Sequence, residues 1–369
     1  MTANYGESRI GKGQSRSRLP IRDSREGLPH DPSGAAARKE RLGMELDRLP
    51  IRDSPLAITF PAPLFPPPVS SPRDRFVAYR RSLPRPPRLE RQTVHARGLD
   101  FAVFTTPAVQ GIPPLVCVNG GLLYDHRLLW PALAPLAARR QLVFYDQRGR
   151  GASQTPPGPR AAAIEHDAGD LGALRVSLGI RRWDVLGHSW GGGIAMLGAE
   201  RDQPGTRRLV LVDAVGATSE WLAGLAPAAM ERLDAAGRAA LERTGGELLF
   251  EPVPSAHSAH AQALYPAWFA SPDLAALFSP PRAESVTGAA VAARLRRVGY
   301  DWRSTLASLR VPTLVLHGAA DLLPPAVAAS TAALLGDARL RVIPDAGHMP
   351  FWEAPEEFFA AVDDFLSAP

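Results

Sequence analysis

The chain has 369 residues, 45% of them hydrophobic, enough for one large domain or two ordinary ones with a real core. The net charge of +5 is uneven: residues 1–91 carry about +8 and the remainder about −3, which argues against a phosphate-backbone binder. A single cysteine, Cys117, rules out an internal disulfide and a cysteine–histidine zinc site.

The first 88 residues are rich in Arg, Pro, Ser and Gly, with proline clusters at 61–68 and 84–87. Such a stretch buries too little apolar surface to fold alone, so residues 1–88 are expected to form a disordered basic extension. Within it Arg18-Leu19-Pro20-Ile21-Arg22-Asp23-Ser24 recurs as Arg48-Leu49-Pro50-Ile51-Arg52-Asp53-Ser54. Two copies are too few for a solenoid; they fit either a docking motif used twice or a tail ahead of a later start such as Met44.

From about residue 89 strands alternate with helices, the pattern of an α/β sheet. The residues 92–96 and 100–106 read as a hairpin around Gly98, 115–119 as a short buried strand holding an inert Cys117, and 128–138 as a helix. Strand 142–146, helix 165–178, strand 183–186, helix 191–201 and strand 209–212 follow. Residues 313–317, 327–335, 340–343 and 355–366 close the chain as strand, helix, strand and helix. Between about 215 and 303 the alternation stops. This Ala-rich, helical stretch carries Trp221, Tyr265, Trp268 and Trp302, and is expected to form a cap over the C-terminal edge of the sheet, lining a pocket. No apolar run reaches the ~18 residues of a membrane span, and no secretory leader is visible. The expectation is a cytoplasmic protein with no membrane or nucleic-acid partner and an oligomeric state the sequence leaves open.

Gly187-His188-Ser189-Trp190-Gly191 fits G-x-S-x-G and stands between a predicted strand and a predicted helix. A nucleophile there needs a sharp turn, which small neighbours permit. A serine hydroxyl needs a base to take its proton, and in this arrangement the acid and the base follow the serine in chain order. Asp321, in His317-Gly318-Ala319-Ala320-Asp321, and His348, in Asp345-Ala346-Gly347-His348-Met349, each follow a predicted strand. They are the candidate acid and base, with Ser189 the nucleophile. The oxyanion would be held by the backbone N–H of Trp190 and by one from Asn119-Gly120-Gly121, with Gly121 favoured and Gly120 the alternative. His257 and His260 lack a third ligand nearby and read as surface residues.

These motifs together resemble the α/β-hydrolase superfamily over residues 90–369. The segment 144–153, FYDQRGRGAS, is similar to the D-Q-R-G-x-G-x-S segment of its proline iminopeptidase branch, and Gly187-His188-Ser189-Trp190-Gly191-Gly192 to that branch's elbow. His317-Gly318 with Asp321, and Gly347-His348 with Phe351, Glu353 and Pro355, resemble the superfamily's closing pattern. The resemblance implies a mostly parallel sheet flanked by helices with an inserted helical cap, a small-molecule substrate, and no metal or organic cofactor. It implies loop-tying roles for Asp146 and Arg148. The branch's H-G-G-P-G becomes Asn119-Gly120-Gly121-Leu122-Leu123 here, and its amine-binding cap segment has no acid-bearing counterpart. The expected reaction is hydrolysis of an amide or ester through an acyl-serine. An ester, lactone or thioester substrate of specialised metabolism, or a non-hydrolytic lyase or cofactor-independent oxygenase, are the alternatives.

Overall fold

A computed structural model describes residues 71–368. One eight-stranded sheet runs through it in the order β1-β2-β4-β3-β5-β6-β7-β8. The strands are β1 (Glu90–Ala96), β2 (Leu99–Thr105), β3 (Leu115–Val118), β4 (Leu142–Tyr145), β5 (Trp183–His188), β6 (Thr206–Val212), β7 (Thr313–Gly318) and β8 (Ala338–Ile343). β1 and β2 pair antiparallel through a tight turn at Arg97 and Gly98, whose φ of 49° and 74° are those a two-residue hairpin loop requires. β2 pairs antiparallel with β4, and every later pairing is parallel. β3, β4, β5 and β7 are buried along their whole length, as parallel strands covered on both faces must be. β8 closes one edge and exposes Arg339 and Arg341, charges that discourage further strand pairing.

Helices cover both faces. On one, Ile164–Ser177 and Trp190–Arg201 pack Leu171, Leu174, Ile194 and Met196 against Val116, Val185 and Leu209. On the other, Pro355–Ser367 buries Phe358, Val362 and Phe365 against Leu115, Leu186 and Leu314. Side chains of this size each contribute about 1.5–3 kcal/mol when fully buried. Between β6 and β7 the chain leaves the sheet and forms the inserted helices Leu222–Arg232, Ala235–Thr244, Pro254–Leu264 and Val286–Val298, with shorter pieces. The insertion lies where the loss of strand alternation placed it.

Two expectations need correction. The stretch 128–138 is two short 3₁₀ turns, His126–Leu128 and Ala134–Ala138, rather than one helix. Pro131 and Pro135 remove backbone donors that a continuous helix would need. The basic extension does not run unstructured to residue 88, because Pro72–Ser82 is a helix. Ser71 caps it by accepting from the Asp74 N–H, and Pro72 opens its first turn. Its half-buried Phe76 meets Phe278 and Trp352 at ring-centroid distances of 5.0 and 5.7 Å, and Arg80 lies 4.8 Å over Trp352. The repeated heptapeptide falls outside the described residues.

Candidate active site

Ser189 sits between the end of β5 and the helix Trp190–Arg201, with φ 56° and ψ −124°. A non-glycine residue in that region carries strain of about 1–3 kcal/mol, which its surroundings must hold. They do so by hydrogen bonds: the Ser189 N–H donates to Val212 O at 3.0 Å, and its carbonyl accepts from Gly192 N–H at 2.9 Å. The close packing around the elbow explains its glycines. A Cβ on Gly191 would lie 2.1 Å from Val118 O, and one on Gly120 would lie 2.6 Å from Ser189 Cβ. The Trp190 N–H stands at the first turn of a twelve-residue helix, where backbone donors have no intrahelical acceptor and the helix dipole favours negative charge.

Asp321 lies in the loop after β7 and His348 in the loop after β8. His348 Nδ1 is 2.9 and 3.1 Å from the two Asp321 carboxylate oxygens, and both residues are buried. Burial pushes the Asp321 carboxyl up, but the charge and hydrogen bond of His348 outweigh it and hold the group below its ordinary value. Asp213, just past β6, has the opposite fate. Burial first, and the neighbouring Asp321 charge second, push it well above the carboxylate range. Its Oδ1 accepts from Gly318 N–H at 2.7 Å.

The loops are tied down by Asp146 and Arg148, as the resemblance implied, and by further residues the sequence did not single out for that role. His188 donates from Nε2 to the His348 carbonyl at 2.8 Å, and burial holds this imidazole neutral, with its pKa near 3. Glu353 accepts from Gly347 and Met349 N–H at 3.0 and 3.1 Å, and from Ala270 N–H of the insertion at 2.8 Å. It thus joins the His348 loop to the inserted helices. Arg232, also from the insertion, donates to Ala320 O and Asp321 O at 2.7 and 2.8 Å. On the nucleophile side, Gln147 donates to Asn119 O at 2.7 Å and Asn119 in turn to Tyr124 O at 3.1 Å. Asp146 accepts from His126 N–H and Ala152 N–H, and Arg148 makes a two-pronged pair with Asp170. Asp146 and Arg148 therefore bind loops together. Arg150, fully buried, pairs with Asp167 at 2.8 and 3.1 Å and donates to Leu122 O.

Ser189, Trp190, Gly121 and His348 border one cavity that opens to solvent. Gly120 packs closely against Ser189, and Gly121 is on the cavity border. The far wall comes from the insertion. Trp221, Leu225 and Leu264 supply apolar surface, and Trp268 lies 4.1 Å from the His348 ring. His257 and His260 are buried in that wall, not on the surface as the lack of a third ligand nearby had suggested. Three residues apart, they share one face of the helix Pro254–Leu264. The acids Glu220, Glu231, Glu242, Glu247, Glu251 and Glu284 are all exposed, and none borders the cavity.

Two clusters offer three metal-type ligand atoms within 4.8 Å of one another: Asp125, His126 and Asp146, and Asp213, His317 and Asp321. In the second, the acids already serve Gly318 and His348, and His317 Nε2 donates to Leu323 O at 2.8 Å. Among the described residues no helix is long and apolar enough to cross a membrane.

Comparison with known proteins agrees with this architecture. Residues 113–355 match the family model described as alpha/beta hydrolase fold. The proline iminopeptidase of Lactobacillus helveticus is 27% identical over 267 residues, which cover 69% of this chain and 90% of that one. The 2-hydroxymuconate semialdehyde hydrolase of Pseudomonas putida is 30% identical over 233 residues, covering 62% and 77%. The crystal structure of proline iminopeptidase from Mycobacterium smegmatis superposes with a TM-score of 0.55 at 25% identity, covering 75% of this chain and 97% of that one. With the matched segment spanning more than half of its length, the chain belongs to the α/β-hydrolase family and is proline iminopeptidase-like.

Proposed function

We propose that the chain is a serine hydrolase acting through an acyl-serine. The observation that carries this reading is the pairing of a strained Ser189 with an Asp321-bonded His348 on the border of one cavity. Ser189 Oγ attacks the substrate carbonyl while His348 Nε2 takes its proton. Asp321, ionised, holds the tautomer with Nδ1–H directed at itself and stabilises the imidazolium. The negative charge on the carbonyl oxygen is met by the N–H groups of Trp190 and Gly121, or Gly120 in its place. His348 then protonates the leaving group, and a water activated by the same imidazole releases the acid and restores Ser189.

The bond broken is that of an ester or amide with an uncharged reacting end, rather than a free-amine prolyl peptide. A buried ammonium needs a carboxylate partner, and among the described residues no aspartate or glutamate borders the cavity. A chromogenic panel tests the reading: acyl esters, lactones and prolyl anilides with free or acetylated amines, each run beside Ser189→Ala. Hydrolysis of the esters by the wild type alone is expected. Equal hydrolysis by both proteins would remove Ser189 from the mechanism.

A further inference from the structure

The cavity wall holds a charge that the reaction above does not use. Arg296 lies in the last turn of the helix Val286–Val298 and borders the cavity, half-buried, while its neighbours Arg294 and Arg297 are exposed. Other buried arginines are satisfied: Arg148 pairs with Asp170, Arg150 with Asp167 and Arg140 with Asp184, and Arg208 donates to the Leu366 and Ala368 carbonyls. Among the described residues Arg296 has no carboxylate partner and no hydrogen-bond acceptor. Burial alone depresses its pKa, with no anion opposing it. A guanidinium stays charged in proteins, so a partly desolvated cation borders the pocket with no carboxylate beside it.

Resting on the serine-hydrolase reading and deepening it, we propose that Arg296 is the subsite for a carboxylate carried by the substrate away from the scissile bond, so that the natural substrate is an anionic acyl compound. A planar guanidinium fork matches a carboxylate bidentately, and that pairing replaces the water the pocket has removed. The site balances a single negative charge. His260 is pushed down to about 4, by burial first and by Arg296 second, and burial also lowers His257. Both imidazoles are neutral at pH 7. His257 spends its Nε2–H on Glu251 O at 2.9 Å, leaving its other ring nitrogen an acceptor. A phosphate monoester, at about −1.5 to −2, would exceed the charge available. The rest of the wall, Leu225, Leu264 and Trp221 among it, suits the hydrocarbon between carboxylate and ester.

The test uses mono-p-nitrophenyl esters of adipic, suberic and sebacic acids. Each is paired with the same ester whose far carboxyl is methylated, and with one ending in a phosphonate. At the best chain length the free carboxylate should raise kcat/KM over its methyl ester by about 10- to 100-fold, the range of a hydrogen bond to a charged group. Arg296→Gln and Arg296→Met should collapse that ratio toward one. Tm should stay the same or rise, because an uncompensated charge leaves the pocket; a purely structural arginine would lower it. A wild type that prefers the methyl esters, or a ratio that survives both substitutions, overturns the anion subsite while Ser189-dependent turnover leaves the hydrolase reading standing. Preference for the phosphonate overturns the carboxylate assignment. Absence of any Ser189-dependent turnover overturns the serine-hydrolase reading and this inference with it.

Discussion

The two walls of the cavity are built by opposite means. The sheet-side wall places Ser189, Asp321 and His348 just past the ends of β5, β7 and β8, and its backbone is held by a hydrogen bond from His188 and by bonds that Glu353 and Asp213 accept. The wall from the insertion presents side chains from helix faces: Trp221, His257, His260 and Arg296. The first wall carries the candidate reacting groups on loops held by these bonds. The second supplies most of the surface a substrate would meet, and it is tied to the first through Glu353 and Arg232. In such a division substitutions on the sheet side act on kcat, whereas those on the insertion act on which substrate is preferred.

The sharpest way to break the comparison is to remove the nucleophile. Ser189→Ala should lower turnover on every substrate by about 10⁵- to 10⁶-fold, since the three residues act as a unit. The loss should be alike across the panel; a substrate-dependent loss would mean that the sheet side also selects substrate. Asp321→Asn should cost about 10⁴ in kcat by admitting the wrong imidazole tautomer. Asp213→Asn should cost far less, because Asp321 is the carboxylate bonded to His348 while Asp213 accepts from Gly318 N–H, and a reversed order of the two would make Asp213 the working acid. Acetylating the amine of a prolyl anilide should leave kcat/KM unchanged or raise it. A fall of more than about tenfold would expose an amine-binding acid in the insertion, at the level a charge-assisted bond contributes.

Glu353 links the two walls, so its titration sharpens the comparison. Burial pushes its pKa from 4.5 up to about 7. The folded state then binds its proton more tightly than the unfolded chain, and stability is greatest below about pH 4.5 and falls as pH rises to about 7. Glu353→Gln should lack this component, which amounts to at most about 1.4 kcal/mol per pH unit. Denaturant titrations of both proteins from pH 4.5 to 7.5 check it, and parallel pH profiles would contradict the shift. The smallest effects belong to the N-terminal segment. Deleting residues 1–70 should leave kcat and Tm nearly unchanged. Extending the deletion to Ser82, or Phe76→Ala, should cost about 1–2 kcal/mol of stability by removing the aromatic contacts with Phe278 and Trp352.

The same division explains what the sequence could tell. The elbow was legible because a strand-to-helix reversal with a serine at its tip leaves few residue choices on either side, and Gly191 against Val118 O shows why. The burial of the parallel strands was legible from their unbroken apolar runs. Arg296 was not, because it stands in a run with Arg294 and Arg297, and only the rotation of the helix about its axis decides which of the three meets the cavity. His257 and His260 were misread because what buries them comes from other helices. The helix Pro72–Ser82 buries no residue fully, so no apolar periodicity announced it, and a few half-buried aromatic contacts hold it.

The central claim is that Ser189 is an activated nucleophile. Treating the full-length protein with a fluorophosphonate and mapping the adduct by peptide mass spectrometry tests it without any choice of substrate. The account predicts one adduct, on Ser189, that is lost in Ser189→Ala and greatly slowed in His348→Ala. An unmodified Ser189 in folded protein, or labelling that persists in Ser189→Ala, would contradict it.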